Sequence, residues 1–334
     1  MKARSWLLLS LLCLLLSPAR ARAQEGKVRD LASMALNGKI GQIKETVYLS
    51  HRFQVDGLKL LYAEKTALTG FSEYRFDTSG RMTVCRLFQQ TPYRDQYDSF
   101  AFDAAHRLRA CYWGAGGVPQ GREEFVYNII GQLSHARQYD DTGGLFCETV
   151  YRYHDKLLLE EVTYNRQYVE ISRVKYTYDS LKRLLKEESL RNPYKYNVAY
   201  TKRYTYDAKG HAVRIQYTEK SGKKQWDYRC RFDASGRILS ESTVHLPDSV
   251  DKHREYTYDC RHRLVKEVSQ DGRIKQQKRY RYDRKGRLLY VRNQFGDTDF
   301  RTFYRQYDAE GNWTEKVDYD GINLQVTTRE ITYY

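Results

Sequence analysis

Two stretches of the chain carry the same short pattern: Lys202-Arg203-Tyr204-Thr205-Tyr206-Asp207-Ala208-Lys209-Gly210 and Lys278-Arg279-Tyr280-Arg281-Tyr282-Asp283-Arg284-Lys285-Gly286-Arg287-Leu288. The pattern is an aromatic residue, a polar residue, a second aromatic, Asp, two variable residues and Gly, often followed by Arg and an aliphatic residue. Taking the second aromatic as a marker gives eleven copies, spaced 23 to 28 residues apart. The markers are Phe53, Phe76, Phe102, Tyr127, Tyr153, Tyr178, Tyr206, Phe232, Tyr258, Tyr282 and Tyr307. So regular a period across most of the chain indicates a repeat architecture.

Each copy predicts a β-hairpin. Aromatic-x-aromatic places both rings on one face of a strand, because side chains alternate with period two. Asp suits the first position of a type I turn, and Gly three residues later supplies the positive φ of a hairpin loop with a bulge. The aliphatic residue two positions after the Gly, here called the anchor, is predicted to point inward from the return strand. The anchors are Met82, Leu108, Leu133, Leu184, Ile238, Leu264 and Leu288.

Eleven hairpins amount to about 22 strands of one sheet. One face would carry Tyr, Phe and Leu in every unit, and the other Arg, Lys and Thr. Since so long an apolar face must be covered, the sheet is expected to twist and roll on itself. The predicted fold class is all-β, with tandem β-hairpins forming a long, twisted, rolled or spiralling antiparallel sheet, partly closed into a shell. The aromatic stripe is read mainly as core, with exposed rings that stack on sugars as the alternative.

The first residues predict export. Lys2 and Arg4 precede the apolar run from Leu7 to Leu16, and Ala21-Arg22-Ala23 has the small-x-small pattern of a cleavage site. We interpret residues 1–23 as a secretory signal peptide, residues 24–36 as a short helical lead-in, and residues 37–334 as a single β-sheet domain. The expected location is the periplasm, the cell surface or the extracellular space.

Some units depart from the pattern. The unit at Phe53 is degraded, with Gln54 in place of the Asp and Asp56-Gly57 as its turn. His154-Asp155-Lys156 lacks the Gly, which predicts a shortened turn. Tyr333 lies 26 residues after Tyr307, so residues 329–334 read as the opening strand of a twelfth unit.

The charge suggests an anionic partner. The chain carries a net charge of +15, and removal of residues 1–23 would take away four basic residues and no acidic ones. A basic exported protein meets anionic glycans and envelope polymers, whereas nucleic acid is a less expected partner. The candidate binding residues are on the basic strand face: Arg229, Arg231, Arg279 and Arg281. Alternatively, these cations only keep a large sheet soluble and discourage edge pairing.

Five cysteines remain after export: Cys85, Cys111, Cys147, Cys230 and Cys260. An odd number at low density argues against a disulfide framework. Cys85 and Cys111 occupy equivalent places in consecutive hairpins, about 9–10 Å apart, which is too far for an unstrained disulfide. We interpret the five mostly as buried small residues, and a single bridge elsewhere stays open.

The stretch from Tyr282 to Leu288 resembles the YD repeat of rearrangement-hotspot (RHS) proteins, wall-associated proteins, toxin-complex components and teneurins. The segment Asn37-Gly38-Lys39-Ile40, running into Lys44 to Tyr48, is similar to the entry strand of small exported YD-repeat proteins of Bacteroidota. The resemblance covers about residues 37–334. It implies β-sheets that spiral into hollow shells, in a cell-surface setting. Large members enclose a C-terminal toxin, but this chain is far shorter and shows no toxin domain or self-cleaving core after the last repeat.

Familiar catalytic patterns are weak or missing. The Asp residues that follow the markers recur once per hairpin beside Gly, which a turn role explains. Asp141-Thr142-Gly143 matches the core of aspartic proteases, but these enzymes need two such carboxylates and the sequence has one triplet. Asp318-Tyr319-Asp320-Gly321-Ile322-Asn323 spaces oxygen atoms like a calcium loop, yet lacks the closing Glu. We therefore expect no enzyme activity, no metal site and no cofactor.

The leading hypothesis is a non-enzymatic, exported repeat scaffold that binds an anionic glycan or another envelope polyanion, with peripheral membrane contact possible. The second is a shell or accessory module for a secreted toxin or effector system. The third is an enzyme whose site is assembled across repeats. The sequence sets no oligomeric state.

Overall fold

A computed structural model describes residue 34 and residues 36–50, 53–56, 59–63, 65–90, 94–191, 200–219, 225–246, 250–296 and 298–334. Every regular element within these residues is a β-strand, and no helix there could span a membrane. The strands are β1 (Ile40–Ser50), β2 (Phe53–Asp56), β3 (Lys59–Ala63), β4 (Ala67–Phe76), β5 (Met82–Gln89), β6 (Arg94–Phe102), β7 (Leu108–Ala115), β8 (Val118–Tyr127), β9 (Leu133–Tyr139), β10 (Leu145–His154), β11 (Leu157–Asn165), β12 (Glu170–Tyr178), β13 (Leu184–Arg191), β14 (Tyr200–Tyr206), β15 (Ala212–Glu219), β16 (Gln225–Phe232), β17 (Ile238–Leu246), β18 (Val250–Tyr258), β19 (Leu264–Asp271), β20 (Ile274–Tyr282), β21 (Leu288–Phe295), β22 (Thr298–Tyr307), β23 (Trp313–Tyr319) and β24 (Leu324–Tyr333). The proposed signal peptide, and the lead-in except Met34 and Leu36, lie outside the described residues.

The strands confirm the all-β class and correct the predicted topology. Strand β1 and strands β4 to β24 form one sheet of 22 strands, paired in chain order. Strand β1 pairs with both β24 and β4, so the order of hydrogen-bonded strands closes on itself. The expected twisted, rolled or spiralling sheet, only partly closed, is therefore corrected to an antiparallel sheet whose strand order is closed. The physical reason is edge satisfaction, because closure leaves no strand in the ring with unpaired backbone groups.

The turns follow the repeat as predicted. In the hairpin of β4 and β5, the Asp77 N–H donates to the Arg81 carbonyl, and the Asp77 carbonyl accepts from the Gly80 N–H. The Asp77 carboxylate accepts the N–H groups of Ser79 and Arg81. Gly80 has φ +83°, the left-handed conformation that this position requires. The anchor Met82 then pairs with the marker Phe76, and the same register joins Tyr282 to Leu288.

Three hairpins make this turn without glycine. His106, Lys182 and His262 occupy the glycine position with φ between 62° and 66°. The hydrogen bonds of the turn are nevertheless intact, since each residue donates its N–H to the Asp carbonyl three positions earlier. In the His154 unit, Asp155 and Lys156 alone join β10 to β11, which confirms the shortened turn. The turn chemistry therefore tolerates a side chain where the Asp is kept.

Adjacent hairpins are joined by side chains of the repeat itself. Asp259 pairs with Arg263, whose guanidinium carbon lies 4.7 Å from the centre of the Tyr282 ring. The Tyr282 hydroxyl donates to the Leu264 carbonyl at 2.8 Å. The same Asp–Arg–Tyr relation links Asp179 and Arg183 to Tyr206. Where all four are present, the Tyr, Asp, Arg and Leu of the pattern thus hold a hairpin to the next one along the chain.

The degraded unit at Phe53 is not part of the ring. Strands β2 and β3 pair only with each other, so the Phe53 copy does not belong to the sheet that holds the other ten marked copies. Phe53, Leu60 and Ala63 pack against an apolar cluster on the sheet formed by Tyr290, Phe303, Val317, Leu324 and Val326. This hairpin, in which Gln54 stands where most copies have the turn Asp, therefore covers that cluster and does not join the ring.

The chain forms two compact units: residues 100–112 with 119–251, and residues 29–99 with 113–118 and 252–334. The first unit contains buried clusters around Leu158 and Tyr176, and around Ile215 and Tyr228. The second contains the cluster covered by β2 and β3. In both units the sheet face that carries the marker aromatics, the aromatic face, is largely buried or half-buried, whereas many residues of the opposite, basic face are exposed.

Buried and half-buried carboxylates also lie on the aromatic face. The Tyr176 hydroxyl donates to the half-buried Glu161 at 2.6 Å, and the Tyr280 hydroxyl donates to the half-buried Glu267 at 3.0 Å. Glu187 is fully buried and accepts from the Tyr200 hydroxyl at 2.6 Å. These rings are therefore buried or half-buried residues whose hydroxyl groups satisfy acids, rather than an exposed platform.

Among the described residues, the five cysteines form no disulfide bond. Cys111 and Cys230 are buried, Cys85 and Cys147 are half-buried, and Cys260 is exposed. The interpretation as mostly buried small residues is therefore wrong for Cys260, which occupies a variable position in a turn between β18 and β19.

Candidate functional site: a row of basic residues

The four arginines singled out from the sequence are all exposed and lie on the basic face. Arg229 and Arg231 are on β16, in the first compact unit, and Arg279 and Arg281 are on β20, in the second. The structure therefore gives two separate local environments, and each is described alone.

Arg229 shares a carboxylate with a second arginine. It lies directly opposite Arg214 of β15, and both guanidinium groups pair with Asp227, at 3.0 Å and 2.7 Å. The hydrogen bond from Arg214 is the main cause that lowers the pKa of Asp227. Arg231, two residues further along, lies opposite Ser240. The charges of Arg214 and Arg229 are therefore partly neutralised by Asp227.

Arg279 belongs to a longer series of cations. Lys266 of β19 lies opposite Arg279, Arg279 lies opposite Arg292 of β21, and Arg292 lies opposite Arg301 of β22. We call these four residues the basic row. Neighbouring strands are about 4.8 Å apart, so the row places a cation on each of four consecutive strands over about 15 Å. Arg281 lies beside it, opposite Tyr290.

One carboxylate lies within this row. Asp299 pairs with Arg292 at 3.0 Å and with Arg301 at 2.8 Å. Burial opposes the ionisation of Asp299, but the hydrogen bonds from Arg292 and Arg301 outweigh it and lower the pKa of the carboxyl group. Within the described residues, Lys266 and Arg279 form no ion pair with a carboxylate. Among the described ion pairs, the Asp299 carboxylate thus serves two of the four cations.

This arrangement costs stability in the isolated protein, because like charges at directly opposite positions on neighbouring strands repel. Protection of a sheet edge does not explain the row, since β19 to β22 are paired on both sides. A bound anionic group would offset the repulsion, and a chain of such groups would meet one cation at each strand.

Sequence reasoning found Arg279 but missed Lys266, Arg292 and Arg301. Part of the register could be read from the sequence. Arg279 lies three residues before the marker Tyr282 and Arg292 four after the anchor Leu288, positions that are also paired in most other hairpins of this type. The extension to Lys266 depends on the two-residue turn Gly272-Arg273, and that to Arg301 depends on the turn after β21. The lengths of the loops between hairpins, which the repeat pattern does not specify, therefore determine which residues lie opposite each other in the full row.

The other chemical candidates are turns. Asp140, rather than Asp141, opens the turn between β9 and β10, and its carboxylate accepts the N–H groups of Thr142 and Gly144. The Asp320 carboxylate likewise accepts the N–H groups of Ile322 and Asn323. Across the described part of the chain, no three His, Cys, Asp or Glu side chains are grouped to hold a metal ion.

Comparison with known proteins gave matches among solved structures alone. No family model matches the chain, and no curated protein does. A structure of the Photorhabdus luminescens Tc holotoxin pore, with a mutated TccC3, aligns at 12% identity and a TM-score of 0.33, covering 87% of this chain and 17% of that one. The TcdB2-TccC3-Cdc42 complex aligns at 12% identity and a TM-score of 0.21, covering 85% and 20%. The chain thus spans about a fifth of these toxin chains.

A further match is a porin-like protein from Bacteroides uniformis, at 10% identity and a TM-score of 0.30, covering 89% of this chain and 98% of that one. Identities and TM-scores this low assign the chain to no family.

Proposed function

We propose that this protein is a non-enzymatic, exported scaffold that binds an anionic polymer of the cell envelope or its surroundings through the basic row. The observation that carries the proposal is the series Lys266, Arg279, Arg292 and Arg301 at directly opposite positions on four neighbouring strands, of which the last two pair with Asp299. The proposal of export rests on the sequence of residues 1–23. The proposal that the protein is not an enzyme rests on the recurring Asp residues, which form turns.

Rigid presentation favours this use of the row. Each of the four strands is held on both sides by the ring, so the spacing of the cations is fixed before a ligand binds. A fixed array loses less conformational entropy on binding than flexible basic tails do. Arginine also offers paired N–H donors to sulfate, phosphate or carboxylate groups.

The test measures binding of dextran sulfate to the mature protein, with uncharged dextran as the reference polymer. The double variant Arg279→Gln/Arg292→Gln removes the centre of the row. We expect it to weaken binding about tenfold or more, equivalent to about 1.4 kcal/mol. The affinity of the parent protein should fall as salt rises, because exposed charges are screened.

The control is Arg273→Gln/Lys285→Gln, which removes two exposed charges at turns outside the row. It lowers the net charge equally and should change the affinity less than threefold, about 0.6 kcal/mol. Equal losses in the two double variants would show that net charge, not the row, attracts the polymer. Salt-independent binding would also refute the proposal.

A further inference from the structure

A cleft of about 530 Å³ lies at one end of the strands, where β22 and β24 begin and β23 and β1 end. Its volume falls in the range of about 300–1,000 Å³ that is typical of sites for small molecules. All its lining residues belong to the second compact unit. Two aromatic rings and several planar polar side chains line it, among them Phe300, Tyr319, Asp318, Asp320, Asn323 and Gln325.

The Tyr319 ring is held in place from two sides. Its centre lies 5.6 Å from that of Phe53, in an edge-on contact, and its hydroxyl donates to the Gly321 carbonyl at 2.7 Å. With both ring edge and hydroxyl engaged, the Tyr319 side chain is held on the sheet face that packs against Phe53 and the apolar cluster. Phe300 lies on the same face as Thr302 and Asp318 and supplies the half-buried ring of the cleft. An aromatic ring suits a ligand with an apolar surface.

The two carboxylates of the cleft are already engaged. Asp318 accepts from the Thr302 hydroxyl at 2.7 Å and pairs with Lys316 at 2.9 Å. Burial opposes the ionisation of Asp320, but the N–H groups of Asn323 and Ile322 outweigh it and lower its pKa. A carboxylate has about four lone-pair sites, so both groups can still accept hydrogen bonds from a ligand.

This lining selects against charged ligands. Asp318 and Asp320 disfavour an anion, while Lys316 and Arg301, close by, disfavour an organic cation. A metal ion is disfavoured because the carboxylate oxygens are bound to fixed donors. What fits is a neutral molecule with many hydroxyl groups and one apolar face: the hydroxyls donate to the carboxylates and exchange hydrogen bonds with the exposed amides of Asn323 and Gln325.

We propose that the cleft binds a single neutral pyranose unit, stacked on an aromatic ring and hydrogen-bonded to Asp318, Asp320 and the two amides. The site is distinct from the basic row, although Arg301 is the last residue of the row and also lines the cleft. A polymer on the row could therefore place a neutral sugar in the cleft, and in that form the inference rests on the proposed function.

The test separates the two sites by salt. Ligand-observed NMR and calorimetry are carried out on the full chain in about 1 M NaCl, where the Debye length of about 3 Å screens the row. The probes are the methyl glycosides of glucose, galactose, mannose and N-acetylglucosamine, with methyl glucuronide as the charged comparison. We expect saturable binding of at least one neutral glycoside with a Kd of about 1–10 mM, and weaker binding of the glucuronide.

The Gln325→Ala and Phe300→Ala variants each remove one cleft contact, and each should weaken that binding about fivefold, as expected for one lost interaction. Gln306→Ala is the control, because Gln306 is an exposed residue of β22 outside the cleft. If no neutral glycoside binds, or if the two cleft variants bind as the parent does, the inference is wrong. Neither result bears on the basic row, whose proposed binding of an anionic polymer is tested separately by the dextran sulfate assay at low salt.

Discussion

The backbone N–H of Tyr334 donates to the carbonyl of Lys39 at 2.8 Å, which brings residues from distant parts of the chain into one turn-like hydrogen bond. The bond is equivalent to that between Asp77 and Arg81 in a complete hairpin. Tyr333 takes the marker position and pairs with Ile40, which takes the anchor position. Gly38, with φ +86°, takes the place of the turn glycine. The twelfth unit is thus assembled from β24 and β1.

This geometry predicts that the turn can be made continuous. In a complete copy, two residues separate the Asp position from the Gly, so a peptide bond from Tyr334 to Leu36 would restore the standard length. A circular permutant with this junction, and with new ends in the exposed turn Gly272-Arg273, should fold with an unfolding free energy within about 1 kcal/mol of the parent. Urea denaturation measures it.

A second permutant with an eight-residue Gly-Ser linker at the junction serves as control. If the long linker alone permits folding, residues 334 and 36 are not placed to share a turn, and the interpretation of a split repeat is wrong.

The pair of strands β1 and β24, which closes the sheet, also contains an ion pair that is shielded from solvent. Arg329 donates to Glu45 at 2.6 Å, and its guanidinium carbon lies 3.4 Å from the Trp313 ring centre. The Arg329 side chain is 9% exposed. Arg329→Ala should lower the unfolding free energy by about 2–3 kcal/mol, because it leaves Glu45 unpaired in a partly desolvated site. Arg75→Ala, which breaks an exposed pair with Glu73, should cost below about 1 kcal/mol in the same assay. Similar losses of unfolding free energy in the two variants would mean that the Arg329–Glu45 pair stabilises the protein no more than an exposed ion pair does.

The arginine that follows the turn in each complete repeat should not be replaceable by lysine, because it joins neighbouring hairpins by its shape as well as its charge. Arg263→Ala removes both the pair with Asp259 and the contact with the Tyr282 ring, and we expect a loss of about 1–2 kcal/mol in thermal or urea unfolding. Arg263→Lys should recover only part of it, because an ammonium group cannot form the paired bonds or lie flat on the ring. Full recovery of stability by the lysine variant would mean that charge alone accounts for the interaction. Arg284→Ala, at an exposed turn position, is the reference.

Acid should destabilise the fold through its turns. Hydrogen bonds from the backbone N–H four residues later are the main cause that lowers the pKa of Asp103, Asp179 and Asp259 below 3.8. Groups with a depressed folded pKa contribute stability above their unfolded pKa, and this contribution is lost as pH falls through the folded value. Unfolding free energy should therefore change little from these groups between pH 7 and about pH 5, and fall steeply below about pH 4. A free energy that is flat or rises down to pH 2 would contradict this.

The repeated phrase determined the strand class, the turn positions and the facing of the aromatic residues. These features are local, because an Asp, a left-handed residue and alternating aromatics fix a hairpin regardless of its neighbours. Hence Phe76 and Met82, or Tyr282 and Leu288, could be paired from the sequence alone. The exposed positions of Arg229, Arg231, Arg279 and Arg281 followed from the same alternation.

The tertiary structure alone decided three features. The ring closes because Ile40 meets Tyr333, and the two halves of this repeat lie far apart in the chain, so their pairing is not local. The Phe53 hairpin lies against Tyr319 rather than in the sheet. Lys266 and Arg301 join Arg279 and Arg292 in one row because loop lengths set the register between hairpins. Non-local pairing depends on the summed geometry of many strands, and a repeat of two dozen residues specifies only its own hairpin.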